Sequence, residues 1–310
     1  MVGRIAAIHN FLHVERHKEL TGFFGLFECE SDPEISRALF DTAGRWLAAR
    51  GLTTMRGPAS FSLNEECGLL VSGFDGPPVV MMPYNPPWYG TLVEAYGFTK
   101  AKDLVSYYRP NAVPTERMMR AVAKLKERYR LTVRSLDKRR FWEEVELVRD
   151  VYNSAWQENW GHIPMTDAEI NYMAKQLKPV VEPSLVVFAY SGDELAGFGL
   201  ALPDLNVALK KMNGRLFPFG WLKALWYSRK IDTARIMILG VLDNYRRQGV
   251  AELMELEMMD AGPKVGIVNA DFSWILEDNL VMRTPLEKLG AQVYRIHRMY
   301  DVPLDSGASG

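Results

Sequence analysis

The sequence has 310 residues, of which 48% are hydrophobic and 24% are charged, and these fractions are typical of a globular protein rather than a disordered one. The 37 basic and 38 acidic residues nearly balance, so the net positive charge of a nucleic-acid binder is missing. We therefore expect no nucleic-acid partner. The length is sufficient for two domains of ordinary size.

The cysteines and the apolar runs indicate a compartment. Only Cys29 and Cys67 are present, and they form neither a disulfide framework nor a metal-ligand spacing. The first ten residues hold too short an apolar run for a signal peptide, and no stretch approaches the ~18 to 20 apolar residues of a membrane span. The sequence thus predicts a cytoplasmic protein with no membrane span and no metal.

The first half contains an apolar strand pattern at 2–8 and, later, two segments of distinctive composition. Segment 81–89 is rich in Met, Pro and aromatic residues, which is typical of a rigid loop between domains; a wall of an acceptor pocket is the alternative. Segment 110–130 contains a Lys/Arg-rich amphipathic helix. We expect this helix to link the two halves of the chain.

From Leu131 onwards the hydrophobic periodicity predicts strand, two helices, three strands, helix, strand, helix and strand. Thr166 and Glu169 form a capping-box pattern at the start of the second helix. The predicted strands are 131–135, 184–190, 195–202, 236–242, 268–276 and 292–302, and the predicted helices are 139–156, 166–177, one after residue 249, and 281–289.

An insertion at 205–230 separates the third and fourth of these strands, and it is rich in aromatic residues, among them Phe217, Phe219, Trp221 and Trp226. An exposed segment of this kind would form a sticky patch, so we expect it to be buried against another part of the protein. The alternatives for its position are against the other domain and as a lid over an acyl or hydrophobic acceptor pocket.

The most informative stretch begins with the apolar strand 236–242 and continues through a turn to Arg246, Arg247 and Gly249, before a helix. Backbone N–H groups at a helix start are unpaired and lie in a positive field, which suits a phosphate ester. Glycine lets the backbone approach a ligand closely, and the arginines add positive charge. The pattern predicts an anion site; a solvated Arg-Arg turn before an ordinary helix is the alternative.

The sequence of 239–251, Leu-Gly-Val-Leu-Asp-Asn-Tyr-Arg-Arg-Gln-Gly-Val-Ala, closely resembles the acyl-CoA signature of the GCN5-related N-acetyltransferase (GNAT) superfamily. That signature is Arg/Gln-x-x-Gly-x-Gly/Ala after a Leu-x-Val strand, and Arg246, Gly249 and Ala251 fill its defining positions. The order of elements after Leu131 is also that of GNAT proteins. The resemblance implies acetyl-CoA or another acyl-CoA as co-substrate. It implies a pyrophosphate held by the amides of Arg247, Gln248, Gly249, Val250 and Ala251, and a pantetheine arm beside Leu239, Gly240 and Val241.

Acyl transfer to an amine requires a polarised carbonyl, a base for the amine proton and a proton for the leaving thiolate. In the family a backbone N–H on the strand polarises the carbonyl, which implies Val241 here. Asn279 matches an asparagine that many members place after the next strand. Glu277, just before it, is the candidate base, directly or through water, with Asp278 behind it. The alternative is that these three residues only cap the following helix.

Two departures from the family bear on catalysis. Leu286 stands where the family usually has a tyrosine that protonates the thiolate, and Arg235 stands where a glutamate is common. The proton donor must then be another group, such as Tyr294, Tyr245 or water. His162 lies in the inter-helix loop that often lines the acceptor site, with a merely solvated histidine as the alternative.

The first half resembles a partial copy of the second, because 2–8, 61–65 and 92–98 parallel segments near 196, 272 and 285; chance matching of short strings is the alternative. Such a copy would lack its opening strands and helices. We then expect either a longer protein or pairing with a second chain in a homo-oligomer. Carboxylates at 28–34 replace the arginines of the anion loop, so we expect one CoA site per chain.

The sequence therefore predicts a mixed α/β fold with a mixed sheet and two acyl-CoA N-acyltransferase-like units. These are a partial, degenerate unit with a linker helix at 1–128, a complete unit at 129–305, and a flexible tail at 306–310. The predicted activity is direct acyl transfer from acyl-CoA to the amine of a small molecule or peptide. Two alternatives stay open: an inactive acyl-CoA-binding or scaffold protein, and transfer of a long acyl chain.

Overall fold

A computed structural model describes residues 1–157, 159–215 and 217–304 of the chain, so the predicted flexible tail at 306–310 lies outside the described residues. The described chain forms one mixed sheet of eleven strands with helices on both faces. The strands are β1 (Gly3–Ile8), β2 (Thr21–Cys29), β3 (Thr54–Gly57), β4 (Leu69–Ser72), β5 (Thr99–Arg109), β6 (Leu131–Ser135), β7 (Val186–Ser191), β8 (Glu194–Pro203), β9 (Thr233–Val241), β10 (Asn269–Leu276) and β11 (Gln292–Pro303). The helices are α1 (Phe11–His17), α2 (Pro33–Ala48), α3 (Trp88–Tyr96), α4 (Glu116–Tyr129), α5 (Phe141–Ala155), α6 (Asp167–Leu177), α7 (Asn206–Met212), α8 (Gly220–Ser228), α9 (Val250–Ala261) and α10 (Leu280–Lys288).

The second half follows the predicted order of elements, from β6 through α5 and α6 to β11, and the mixed α/β fold is confirmed. Helix α6 begins with the predicted capping box, in which Thr166 and Glu169 each bond the backbone of the other. Helix α10 ends before Gly290, which adopts φ 82° as a helix-terminating glycine does.

The sheet order is β1-β2-β3-β11-β5-β10-β9-β8-β7-β6, and β4 also pairs with β11. Strand β5, from the first half, lies between β10 and β11 and is antiparallel to both. Strand β11, from the second half, pairs with β3 and β4 of the first half. Because each half contributes its last strand to the centre, the sheet does not separate at the predicted boundary at residue 128.

Each half also contains a parallel βαβ unit. In the first half, β2 and β3 are parallel and are joined through α2; in the second, β9 and β10 are parallel and are joined through α9. Each unit is flanked by an antiparallel strand, β1 beside β2 and β8 beside β9. The two units therefore occupy corresponding places on either side of the central β11–β5 pair.

Successive side chains along the strands point to opposite faces of the sheet. The core of the second half therefore has two parts, one on each face. Val186 and Phe188 of β7 pack with α5 and α6, whereas Val187 packs with α9 and α4 on the opposite face. Helix α9 buries Val250, Leu253, Met254 and Met258, at the spacing of one helical face. Within the part of the chain that the structure describes, no helix combines the length and the apolar character that crossing a bilayer requires.

The insertion at 205–230 differs from our expectation. It forms α7 and α8, which pack on each other, but Phe217, Phe219 and Trp226 are 77, 66 and 62% exposed. The predicted burial of this segment is therefore wrong. Its aromatic composition reflects an exposed apolar surface, not a packed interior.

Candidate functional site

Strands β9 and β10 separate part-way along their length. Their parallel pairs run from Thr233 opposite Asn269 to Ile236 opposite Phe272, and no later pair occurs among the described residues. Beyond this point β9 pairs only with β8, and β10 pairs only with β5. The sheet thus opens into a gap bounded by 237–241 on one side and 273–276 on the other.

Backbone polar groups of β9 face this gap. The Leu242 N–H donates to the Ala196 carbonyl on β8 at 2.9 Å. Since bonded and non-bonded residues alternate along an antiparallel pair, Gly240 bonds to β8, whereas Leu239 and Val241 direct their N–H and C=O groups away from it. Two residues predicted to run beside a pantetheine arm therefore present main-chain hydrogen-bonding groups on the gap side.

The predicted anion loop lies at the end of β9. Helix α9 begins after Gly249, which adopts φ 86° and provides no side-chain cap. The N–H groups of Arg247, Gly249, Val250 and Ala251 have no acceptor within the described chain, and only the Gln248 N–H bonds to protein, at 3.4 Å from the Tyr245 carbonyl. Unpaired donors at a helix start are what an anionic phosphate ester requires.

The two arginines of the loop have different surroundings. Arg246 donates to the Ala155 carbonyl at 3.0 Å and pairs with Asp243 at 2.8 Å, so it fastens the loop to the end of α5. Arg247 is exposed, and no acceptor for its guanidinium occurs among the residues described. An external anion would therefore meet Arg247 rather than Arg246.

Helix α4 packs against the anion loop. A Cβ atom at Gly249 would lie 2.4 Å from Cδ1 of Leu125 on α4, so only glycine allows this approach. The positive φ of Gly249 disfavours other residues for a second reason. Gly249 is thus required both by the backbone and by the packing of α4.

Two tryptophans that the sequence analysis did not select border the gap. A Cβ atom at Gly240 would lie 2.4 Å from Cη2 of Trp156, so this glycine lets the Trp156 ring lie against β9. Trp160 packs against the buried cluster that contains Leu276 of β10, as Trp274 does. Both tryptophans follow α5 in the loop to α6, and their spacing of four residues was the available signal.

Both carboxylate oxygens of Glu277, the predicted base, accept hydrogen bonds from β5. One oxygen of Glu277 accepts from Lys100 Nζ at 2.6 Å, and the other accepts from the Asp103 N–H at 3.0 Å, both on β5. Both oxygens of Glu277 are therefore bonded to β5, and its role as the base stays a prediction. The Asn279 side chain accepts from the Met282 N–H at 3.3 Å, which is the helix-capping alternative.

A buried polar cluster lies where the gap begins. Asp271, which is fully buried, accepts hydrogen bonds from the hydroxyls of Ser273 and Tyr294. Arg235, opposite Asp271 in the β9–β10 register, donates to the Ser273 carbonyl at 3.3 Å. Burial outweighs these hydrogen bonds and raises the pKa of Asp271. Its signal in the sequence was a carboxylate inside an otherwise apolar strand.

Segment 73–83 lies beside this cluster. Hydrogen bonds that its backbone carbonyl groups accept hold it in place. Side chains of the sheet donate to them: Arg295 to Gly73, Gly76 and Pro77, and Arg235 to Val80 and Met81. Two buried arginines therefore fix this segment, which overlaps the expected rigid loop at 81–89 only at 81–83. Arg235, one of the departures from the family pattern, serves as a structural tie.

Three further sequence candidates have defined positions. His162 is buried, which lowers its pKa to about 4, so the solvated alternative for it is wrong. The Tyr245 hydroxyl donates to Glu194 on β8. Leu286 packs in the core between β5, β10 and α10. None of the described residues form a group of three or more His, Cys, Asp or Glu that could hold a metal.

An apolar cavity of about 80 Å³ lies between α5, α6 and strands β7–β9. Phe141, Ile170, Phe198 and Ile238 are among its lining side chains. The Ile238 side chain belongs to β9, next to the gap. The cavity suits an alkyl group better than a polar one, because its lining is almost entirely hydrocarbon.

Two curated proteins resemble the chain over most of its length. It is 36% identical over 310 residues to the bacterial ceramide synthase of Caulobacter vibrioides (strain NA1000 / CB15N), covering 98% of this chain and 81% of that protein. It is 37% identical over 309 residues to the protein YghO of Escherichia coli (strain K12), covering 97% and 79%. The chain belongs to the family of these two proteins. No family model matches the sequence.

Solved structures show the fold of this ceramide synthase and YghO family. A GCN5-related N-acetyltransferase from Sphaerobacter thermophilus superposes with a TM-score of 0.52 at 12% identity, covering 97% of this chain and 76% of that one. A tandem GNAT protein from the clavulanic acid biosynthesis pathway gives 0.50 at 13% identity, covering 94% and 77%. The GNAT fold predicted from 239–251 is confirmed, and fold and family together support an acyl-transfer function.

Proposed function

We propose that this chain transfers an acyl group from acyl-CoA to the amine of a long-chain amino alcohol and so forms an N-acyl lipid in the cytoplasm. The observation that carries the donor assignment is the set of open N–H groups at the start of α9, beside a gap in the sheet. The acceptor assignment rests on the family, since one relative is a ceramide synthase.

The donor site has two parts. The amides of Arg247, Gly249, Val250 and Ala251 would hold the CoA pyrophosphate, with the Arg247 guanidinium adding charge. The pantetheine arm would lie in the gap, where the polar backbone groups of Leu239 and Val241 match its amides. This proposal uses no contact that the protein already makes, because the groups concerned have no protein partner among the described residues.

In the reaction the amine lone pair attacks the thioester carbonyl carbon, the C–S bond breaks, and the thiolate leaves and takes a proton from water. The proton lost by the amine reaches solvent through the base and restores the balance. We assign polarisation of the carbonyl to the Val241 N–H, as the family resemblance implies. We assign the amine proton to Asp271, through the Ser273 hydroxyl, which belongs to the first β10 residue beyond the last pair. The raised pKa of Asp271 brings this carboxyl closer to the working range of a base.

An alkyl chain has an apolar place in this arrangement. The cavity between α5 and α6 adjoins β9 through Ile238, on the same face as Trp156. Hydrocarbon buried there would be removed from water, which favours substrates with long chains over short ones. The cavity supports an alkyl group on a substrate, and the preference for a long chain over acetyl rests on the ceramide synthase relative.

We also propose that the first half is a partial copy of the unit without an acyl-CoA site. Its helix start is occupied by protein: the Asp32 side chain accepts from the N–H groups of Glu34 and Ile35. A negative group already bonded to these donors leaves no place for a phosphate there.

The test is a transfer assay with purified chain, a C16 acyl-CoA or acetyl-CoA, and either sphinganine or ethanolamine as acceptor. Mass spectrometry of the amide and thiol release report turnover. We expect amide from the C16 donor and sphinganine, with the KM for acyl-CoA raised at least ~10-fold in Arg247→Glu, the equivalent of about 1.4 kcal/mol. Arg37→Glu, an exposed arginine on α2, is the matched control and should leave KM unchanged.

The outcomes separate the proposal from its rival. Long-chain amide formation that needs Arg247 supports it. Intact CoA binding without turnover on any amine would contradict it and would favour the acyl-CoA-binding protein, an alternative consistent with Leu286 in place of the tyrosine. Turnover that is indifferent to Arg247→Glu would contradict the donor site.

A further inference from the structure

Residues 205–230, here called the aromatic hairpin, carry an exposed apolar surface that no other part of the described chain covers. Its exposed large apolar side chains have exposed fractions between 46 and 77%: Leu209, Phe217, Phe219, Trp221, Leu222, Leu225 and Trp226. Leu216, within the hairpin, lies outside the described residues. So many exposed apolar side chains on one short segment mark an interaction surface.

The same hairpin is strongly basic. It contains six basic residues and no Asp or Glu, although the whole chain has a net charge of −1. The basic residues are Lys210, Lys211, Arg215, Lys223, Arg229 and Lys230. This segment therefore combines positive charge with exposed aromatic rings, and the partner of this surface must be both negatively charged and able to accept apolar side chains.

The hairpin is anchored firmly to the sheet at both of its ends. Asp204, just before α7, is buried and accepts from the N–H groups of Val80 and Asn206, at 2.9 and 3.2 Å. Ile231, just after the hairpin, is buried in the core below α9. The apolar surface thus projects from a fixed base, and its exposure is a property of the folded protein.

Cations and rings are interleaved on this surface. Lys230 Nζ lies 5.7 Å from the ring centre of Trp226 and 5.4 Å from that of Tyr227, and Lys211 Nζ lies 5.6 Å from Tyr227. Amphipathic rings beside long basic side chains are typical of segments that lie in the interface of a bilayer, where rings enter the headgroup region and the ammonium groups meet lipid phosphates.

The position of the hairpin also suits a surface-bound enzyme. The hairpin precedes β9 and the anion loop follows it, so the two lie at opposite ends of this nine-residue strand. At about 3.3 Å per residue the strand spans about 30 Å. A membrane at the hairpin end would leave the nucleotide end of the gap in water.

We propose that the aromatic hairpin docks in the plane of an anionic phospholipid surface, with its rings in the headgroup region and its basic residues against lipid phosphates. A symmetric dimer through this face is disfavoured, because a two-fold axis would bring six cations against six cations. The proposal does not rest on the proposed function, since vesicle binding requires neither acyl-CoA nor turnover.

The test is co-sedimentation of the full chain with vesicles of phosphatidylcholine containing 40 mol% phosphatidylglycerol, or of phosphatidylcholine alone. One variant removes rings (Phe217→Ser, Phe219→Ser, Trp226→Ser) and another reverses charge (Lys210→Glu, Lys211→Glu, Lys223→Glu). The matched control is Trp46→Ser with Arg50→Glu, an exposed ring on α2 under a guanidinium at 3.4 Å. Thermal unfolding establishes that each variant is folded.

We expect binding to the anionic vesicles, at least ~10-fold weaker binding by either hairpin variant, and an unchanged control. Raising the salt to 0.5 M should weaken the wild-type binding by a similar factor. Failure of the wild type to sediment, or equal binding by the hairpin variants, would overturn the proposal. So would a wild-type dimer that the ring variant converts to monomer. Vesicle binding without acyl transfer would contradict only the proposed function.

Discussion

Two helices of this molecule begin between parallel strands, and they differ at their first turn. At α2 the Asp32 side chain accepts from the N–H groups of Glu34 and Ile35, at 2.8 and 3.4 Å. At α9 Gly249 occupies the capping position and offers no acceptor. The first helix start contains its own anion, and the second is available to an external one.

The strands beside these helices differ in the same sense. Beyond the last β2–β3 pair, the Ala59 N–H still donates to the Phe24 carbonyl at 2.8 Å. A Cβ at Gly25 would lie 2.1 Å from the Ala59 carbonyl oxygen, so this side of the sheet stays closed. Beyond the last β9–β10 pair the described strands share no bond.

The two units also differ in the residue at one corresponding strand position. The second-to-last paired residue of β3 is Met55, which is fully buried in an apolar core, and that of β10 is Asp271. One topology therefore serves two purposes, and a few side chains decide which. Donors satisfied internally and closed strands suit a structural unit, whereas open donors and separated strands suit the ligand site that we propose.

The largest effect is expected from giving α9 a carboxylate at its start, as α2 has. Gly249→Asp in a Leu125→Ala background makes room for the carboxylate, and Asp tolerates positive φ better than most residues. We expect the rise in melting temperature with CoA, worth about 2.7 kcal/mol at 100 times Kd, to disappear. Leu125→Ala alone should keep it. A double variant that CoA still stabilises would contradict the proposed anion site at the start of α9.

Replacing the carboxylate that only the second unit has should remove the chemistry. We expect Asp271→Asn to lower kcat about 100-fold, the lower end of what a general base contributes, while Glu277→Gln stays within about threefold of wild type. Because burial raises the pKa of Asp271, wild-type kcat should fall as the pH drops through that pKa. The Asp271→Asn variant should not show this fall in kcat at low pH. Steady-state kinetics across pH would show the reverse ranking if Glu277 is the base.

The closed strands of the first unit can be forced apart with a single methyl group. Gly25→Ala places a Cβ against the Ala59 carbonyl oxygen, and overpacking of this kind should lower the free energy of unfolding by about 2 kcal/mol. Urea denaturation measures this, with Gly90→Ala, where nothing lies within 4 Å, as the control. Stabilisation by CoA should be unaffected. Loss of that stabilisation would place the donor in the first unit.

The smallest effect is expected from removing the cap of α2. Asp32→Ala should cost about 1 kcal/mol of stability, because two helix donors lose their acceptor. Glu30→Ala, an exposed acidic neighbour, should cost much less. The variant should gain no second CoA site, because β2 and β3 remain closed. A second equivalent of bound CoA in calorimetry would show that the cap alone separates the two units.

Local patterns in the sequence predicted most of the second half. The turn from β9 to α9 and the capping box of α6 are short-range features, and each appears where residue types and spacing indicated. The exchange of β5 and β11 was not predictable in this way, because strand pairing over nearly 200 residues leaves no local pattern.

The same limit applies to the contacts at the site. Glu277 looked available until β5 brought Lys100 within 2.6 Å of it, a contact between residues 177 apart in sequence. Asp271 was passed over because its partner Tyr294 comes from another strand. The aromatic hairpin was expected to be buried because composition reports how apolar a segment is, not what covers it.

The most direct test of the central claim is a crystal structure of the chain with an unreactive thioether analogue of acyl-CoA. We expect pyrophosphate oxygens within hydrogen-bonding distance of the N–H groups of Gly249, Val250 and Ala251, and a pantetheine arm between 239–241 and 273–276. An analogue bound elsewhere on the chain, with the start of α9 bonded only to water, would contradict it.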